Sequence, residues 1–233
     1  MKTNKQCTFL SRKTGNRKFR HRSISGLFII GSAFVVILWA GLFVLNFDNH
    51  TKKLAGYTYS DLKAMYTVIT DETTYNFMNH VLSPSDTLLS DSMRFTKLNC
   101  FTMKHTPKLR SFIRSMDDSL VSRTDRKYML SRLNGKIYLW NNEKLANTWC
   151  LLPRDFAKIN RPDTLDNWEK FRANFGEYGY NRYSKPVFNR NMDICVVEHV
   201  WVADWLGGCG EILLFKKVNG EWVLIKKKSL WVS

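Results

Sequence analysis

One C-terminal stretch gathers the side chains best suited to chemistry: Cys195, Glu198, His199, Asp204, Cys209 and Glu211. A cysteine beside a histidine and an acid can make a thiol nucleophile. A histidine with carboxylates can hold a metal. Cys209, Cys195 and His199 are therefore the candidate catalytic residues. Against a shared site stands the adjacency of Glu198 and His199, since neighbours in a strand face opposite sides. No cysteine pair has the C-x-x-C spacing of a zinc ribbon or a thioredoxin-type site. Gly207–Gly210 lacks the Lys-Ser/Thr ending and following helix of a phosphate loop, and no HExxH, GxSxG or kinase-type set occurs. The expectation is no metal and no cofactor, with the glycines supplying a turn. Candidate binding residues are Trp205 beside that turn, Gly208, Lys216 and Lys217.

The elements that must position these residues are β-strands. Tyr180–Phe188, Ile194–Ala203, Glu211–Val218 and Trp222–Val232 are rich in β-branched and aromatic residues. Between them lie Asn189-Arg190-Asn191, the Leu206–Gly210 run and Asn219-Gly220. Asn-Gly between two such runs is the strongest short hairpin signal. Lys216-Lys217 and Lys226-Lys227-Lys228 flank that hairpin, as a basic patch or as charges that keep an edge strand from pairing. Trp222 reads as core.

Ahead of the strands the period is helical. Leu62, Met65, Tyr66 and Ile69 form a stripe opened by Ser60, continued through Tyr75, Met78, Val81 and Leu82. These are one long helix or two with a break near Thr70–Thr74. Arg94–Met103 reads as a short strand, Leu109–Met116 as a helix, and Thr124–Leu133 as a helix capped by Thr124. Ile137–Trp140 and Thr148–Leu152 are strand-like stubs, the second stopped by Pro153. A further helix opens at Thr164 or Asp166 and ends at Gly176. Helices first and an antiparallel meander last make an α+β domain, with the helices expected on one face of the meander.

Trp168-Glu-Lys-Phe171, Tyr183-Ser-Lys-Pro-Val-Phe188, Gly208-Cys-Gly210, Lys216-Lys217, Asn219-Gly220 and Trp222 form a recurrent pattern. It is W-x-x-F, S-x-P-x-F, G-x-G and K-x-x-G-x-W. Over about residues 165–225 it resembles the C-terminal half of a loose group of uncharacterised bacterial proteins that are secreted or anchored in the envelope. The resemblance implies an envelope setting and a C-terminal β-meander. It implies no activity, so no site residue is carried over.

The N-terminal portion is of another kind. Ser23–Phe47 holds no charged residue and exceeds the roughly 20 residues a helix needs to cross a bilayer. It is longer than a cleaved signal's apolar core and lacks a small-x-small site, so a transmembrane signal-anchor helix is expected. The basic residues from Lys2 to Arg22, with no acid among them, predict a cytoplasmic N-terminus and a periplasmic C-terminal domain at the inner membrane. The expected division is a basic arm over 1–22, the span over 23–47, a linker over 48–56 and an α+β domain over 57–233.

The chain of 233 residues carries a net charge of +16, which favours acidic partners: lipid headgroups of the bilayer, an envelope protein or an anionic envelope polymer. Specific nucleic-acid binding is not expected. Cys100, Cys150, Cys195 and Cys209 would lie in an oxidising compartment, as disulfides of undetermined pairing or as buried thiols. The functional expectation is a membrane-anchored, non-catalytic binding or assembly component. The alternative is an envelope enzyme with a Cys/His or Cys/carboxylate site near Gly207–Gly210.

Overall fold

The computed structural model describes residues 53–82, 96–146, 148–159, 167–176, 179–203 and 207–232. Helix α1 (Tyr59–Met65) begins where Thr58 and Asp61 form a reciprocal capping box. It ends at Met65 because the chain turns extended at Tyr66, and Val68 bridges to Leu139. Asp71 caps α2 (Glu72–Val81), which buries Tyr75, Phe77, Met78 and Val81 on one stripe. The periodic stretch is thus two helices, broken over 66–71, a few residues ahead of the expected Thr70–Thr74. After β1 (Lys97–Asn99), Thr106 caps α3 (Pro107–Arg114), with proline in the first turn. Ser122, not Thr124, caps α4 (Arg123–Arg132).

Strand β2 (Trp149–Leu151) is followed by α5 (Pro153–Ile159), a helix the sequence reading missed by treating Pro153 as a stop. Proline lacks the N–H that a first-turn residue does not use, so it opens helices as well as closing runs. Next come α6 (Asn167–Phe175), β3 (Gly179–Tyr183), β4 (Val187–Phe188), β5 (Ile194–Ala203), β6 (Gly207–Val218) and β7 (Glu221–Val232). The β6–β7 turn is Asn219-Gly220, both at positive φ, as a two-residue hairpin of this sequence requires.

The sheet has seven strands in the order β2-β1-β3-β5-β6-β7, with β4 also on β5. Strands β3, β5, β6 and β7 form the expected antiparallel meander. Strands β1 and β2 extend it in parallel, so the sheet is mixed. The helices do not gather on one face. Leu62, Phe77 and Met78 from α1 and α2 share a core with Cys195, Val197, Leu213, Phe215 and Trp222. Leu109, Phe112, Ile113 and Met129 from α3 and α4 share another with Ile194, Val196, Ile212 and Leu214. Successive residues of β5 and β6 alternate between the two cores, so these strands are covered on both sides. Farther along the second face, α5 and α6 bring Phe156 and Phe171 onto Tyr180, with Val202 beside them.

The expected membrane-spanning helix is corrected. Among the described residues no helix is long and apolar enough to cross a membrane. The longest have ten residues, about 15 Å at 1.5 Å per residue against a hydrocarbon core of about 30 Å. The basic arm 1–22 and the run 23–47 lie outside the described residues. The fold is accordingly a domain of mixed α and β content ending in a β-sheet, and the membrane assignment is withdrawn from it.

Candidate functional site

The candidate residues lie on β5 and β6, and the register decides which of them meet. His199 stands opposite Tyr183 on β3 and Glu211 on β6. Strand alternation puts these three on the face covered by α1 and α2, and Glu198 on the other. The two neighbours indeed serve different places.

On the first face a polar row crosses four strands. His199 Nε2 is hydrogen-bonded to Asn181 Oδ1 at 2.8 Å. His199 Nδ1 lies 4.0 Å from Glu211 Oε2, too far for a hydrogen bond, so the carboxylate acts on the ring through charge. Glu211 Oε1 accepts from Lys227 Nζ at 2.6 Å. The His199 ring stacks on Tyr183 with centroids 4.6 Å apart. His199, Asn181, Tyr183 and Glu211 are all buried, whereas the Lys227 side chain remains about a third exposed at 32%.

The electrostatics follow from that burial. Desolvation pushes the His199 pKa down, outweighing the pull of Glu211 in the other direction. Burial alone would raise the Glu211 pKa, but the Lys227 ammonium 2.6 Å away holds it below the ordinary carboxylate range. At neutral pH the row is a neutral imidazole beside a carboxylate–ammonium pair. Such a row fixes strand register and side-chain orientation, and its Lys227 end, not the imidazole, reaches water.

Glu198 sits beneath the start of α3. It accepts the Thr106 backbone N–H at 3.0 Å and the Thr106 hydroxyl. A carboxylate there completes the helix cap and meets the positive end of the helix dipole. Burial nevertheless raises its pKa, with the Thr106 hydrogen bonds opposing. His105, next in the chain, accepts from Asn134 N–H at Nδ1 and pairs Nε2 with the Lys185 carbonyl. Both ring nitrogens are taken by backbone, which leaves neither for catalysis.

The candidate nucleophiles are out of reach. All four cysteines of the described domain are buried and outside any disulfide. Cys195 faces the first core, where burial raises its pKa well above the thiol norm. Cys209 pairs in register with Trp201 and lies on the first face with Glu211. Cys195 pairs with Phe215, six residues along β6 from Cys209, so a bridge between them is excluded by geometry. Cys150 is pushed up to about 12 by burial. No disulfide joins the four, and no group of three metal-ligating side chains occurs among the described residues.

The candidate binding residues divide. Trp205, like Asp204, lies outside the described residues. Gly208 is not in a turn: the glycines belong to β6, and the Trp231 indole lies over them. A Cβ on Gly210 would collide with Trp231 Nε1, and one on Gly208 would stand 3.2 Å from the same ring. Glycine is needed there for close approach of a side chain, which its sequence pattern could not distinguish from turn geometry. Lys216 and Lys217 are exposed and point to opposite faces, Lys217 lying 5.4 Å from the Trp222 ring centroid. Trp222 itself is core, edge-on to Phe77.

Two clefts lie elsewhere. One of ≈380 Å³ is lined by His105, Thr106, Arg110 and Asn134. The other, of ≈460 Å³, is lined by Tyr59, Trp149, Cys150, Arg154 and Asp155. Neither is lined by Cys195, His199 or Cys209. What the sequence reading missed is the row's outer members: Asn181 carried no signal, and Lys227 was visible only as one of three lysines. No family model, no curated protein and no solved structure matches this chain.

Proposed function

We propose that this domain is a non-catalytic binding or assembly module that takes an acidic partner, an envelope protein or an anionic polymer, on its β6–β7 hairpin. One contrast carries the reading. The side chains able to do covalent chemistry, Cys195, His199 and Cys209, are sealed in the sheet. Most exposed side chains of the hairpin are lysines and large apolar groups, with one acid, Glu221, near the turn. Cationic and apolar surface that water can reach is suited to recognition, and a buried thiol held protonated is a poor nucleophile.

Two measurements test it on the full chain. Iodoacetamide should label Cys100, Cys150, Cys195 and Cys209 only after denaturation. Rapid labelling of native Cys209 would overturn the non-catalytic reading. Immobilised polyglutamate should retain the protein at low salt, and the quadruple change Lys216→Glu, Lys217→Glu, Lys226→Glu, Lys228→Glu should weaken that retention strongly. Equal retention of the two would overturn the placement of the partner on the hairpin.

A further inference from the structure

We infer that the outer edge of β7 accepts an extended acidic segment of another protein as an added antiparallel or parallel strand. This rests on the binding reading above and specifies the partner and the mode.

Strand β7 has twelve residues and ends the strand order of the sheet. On its outer side His80 Nε2 takes the Trp222 carbonyl at 2.7 Å. From Ile225 to Ser229 every residue is exposed. An edge strand turns alternate N–H and C=O groups away from its neighbour, which makes it a template for one more strand. Three of the molecule's exposed large apolar side chains also lie on β7: Ile225, Trp231 and Val232.

Charge selects the occupant. The β6–β7 register shifts at Gly210/Glu211 and at Leu214/Phe215, and between these bulges Lys226, Lys227, Lys228 and Ser229 pair regularly with Leu214, Leu213, Ile212 and Glu211. All three lysines fall in that regular window. Lys227 faces Glu211 on the first side of the sheet. Lys226 and Lys228 face the other side, 5.8 and 6.0 Å from the Phe112 ring centroid of α3. A second copy of this edge would set lysines against lysines across the new pairing, which is unfavourable. A segment with acids two residues apart would place both carboxylates on the side of Lys226 and Lys228. Its intervening residue would lie beside Lys227, already held by Glu211. The lysines thus guard the edge against self-association while admitting an acidic strand.

The test uses the full-length protein and a fluorescein-labelled nine-residue peptide alternating glutamate and valine. The expected result is saturable binding, weakened about tenfold or more by Lys226→Glu with Lys228→Glu. The basic residues of 1–22 are unchanged between those two proteins, so their attraction cancels. A peptide of the same sequence methylated on alternate backbone nitrogens keeps its charge but loses strand hydrogen bonds, and should also bind about tenfold or more weaker. Absence of binding, equal binding to the charge-reversed protein, or equal binding of the methylated peptide would each overturn strand addition. So would a dimer in sedimentation that the charge reversal strengthens or leaves unchanged. Polyglutamate retention surviving alongside any of these results would leave the broader binding reading standing, and its loss would remove both.

Discussion

Strands β5 and β7 are similar in length, ten and twelve residues, yet lead opposite lives. Strand β5 is central, paired on both sides, and carries the chain's most reactive-looking residues into the interior. Among the described residues strand β7 is at the edge, paired on one side, and it carries ordinary lysines and apolar groups to water. Reactivity in a side chain's formula therefore says little about function until access is known. His199 of β5, with Glu211 of β6 across from it, holds the sheet in register. In β7 plain side chains have the exposure that recognition needs.

The sharpest way to break the interior is through the ring that seals it. Phe77 meets Phe188, Phe215 and Trp222 edge-on, with centroids 5.7, 5.1 and 5.2 Å away. Phe77→Ala should cost about 3–5 kcal/mol in urea unfolding. A loss below about 1 kcal/mol would mean that α2 does not close this face.

Glu211→Ala comes next, at about 2–3 kcal/mol by the same measurement, because it removes the charge-assisted bond to Lys227. The loss stays below that of a fully buried pair, since Lys227 can swing to water. Thermal unfolding of Glu211→Ala with Lys227→Met should recover part of the deficit.

The row should also respond to pH. The His199 pKa is depressed in the folded state, so the unfolded chain binds more protons as pH falls through about 6.5. The stability from keeping this ring neutral is full above that value and is lost as pH drops through the unfolded and then the folded pKa. His105 is depressed by burial and adds in the same direction. His199→Asn should therefore flatten, without abolishing, the fall in stability between pH 7 and 5. An unchanged slope would assign the effect to other groups.

The smallest stability effect belongs to the edge. Lys226→Glu with Lys228→Glu should change unfolding free energy by no more than about 0.5 kcal/mol while altering binding to acidic ligands. A large destabilisation would show that β7's lysines are structural, and the contrast with β5 would collapse.

Much of this architecture was readable from the chain. Asn219-Gly220 announced the hairpin, and a run of β-branched and aromatic residues placed β5 at Ile194–Ala203 as expected. Strand alternation separated Glu198 from His199. The candidate site was less legible. Gly208 and Gly210 looked like a turn because a glycine needed for close approach and one needed for backbone freedom have the same formula. Strand β6 accordingly starts at Gly207 and not at Glu211.

By itself the sequence determined what depends on neighbours a few residues apart: periodic stripes, the two-residue turn and the alternation of faces. Those features arise from local sterics and nearby hydrogen bonds. Tertiary structure alone decided the parallel joining of β1 to β2, the helices on both faces, the Trp231 indole over its glycines and the union of Asn181, His199, Glu211 and Lys227. Each joins residues far apart in the chain. Their pairing is set by how the whole sheet buries its apolar faces, which no short window of sequence contains.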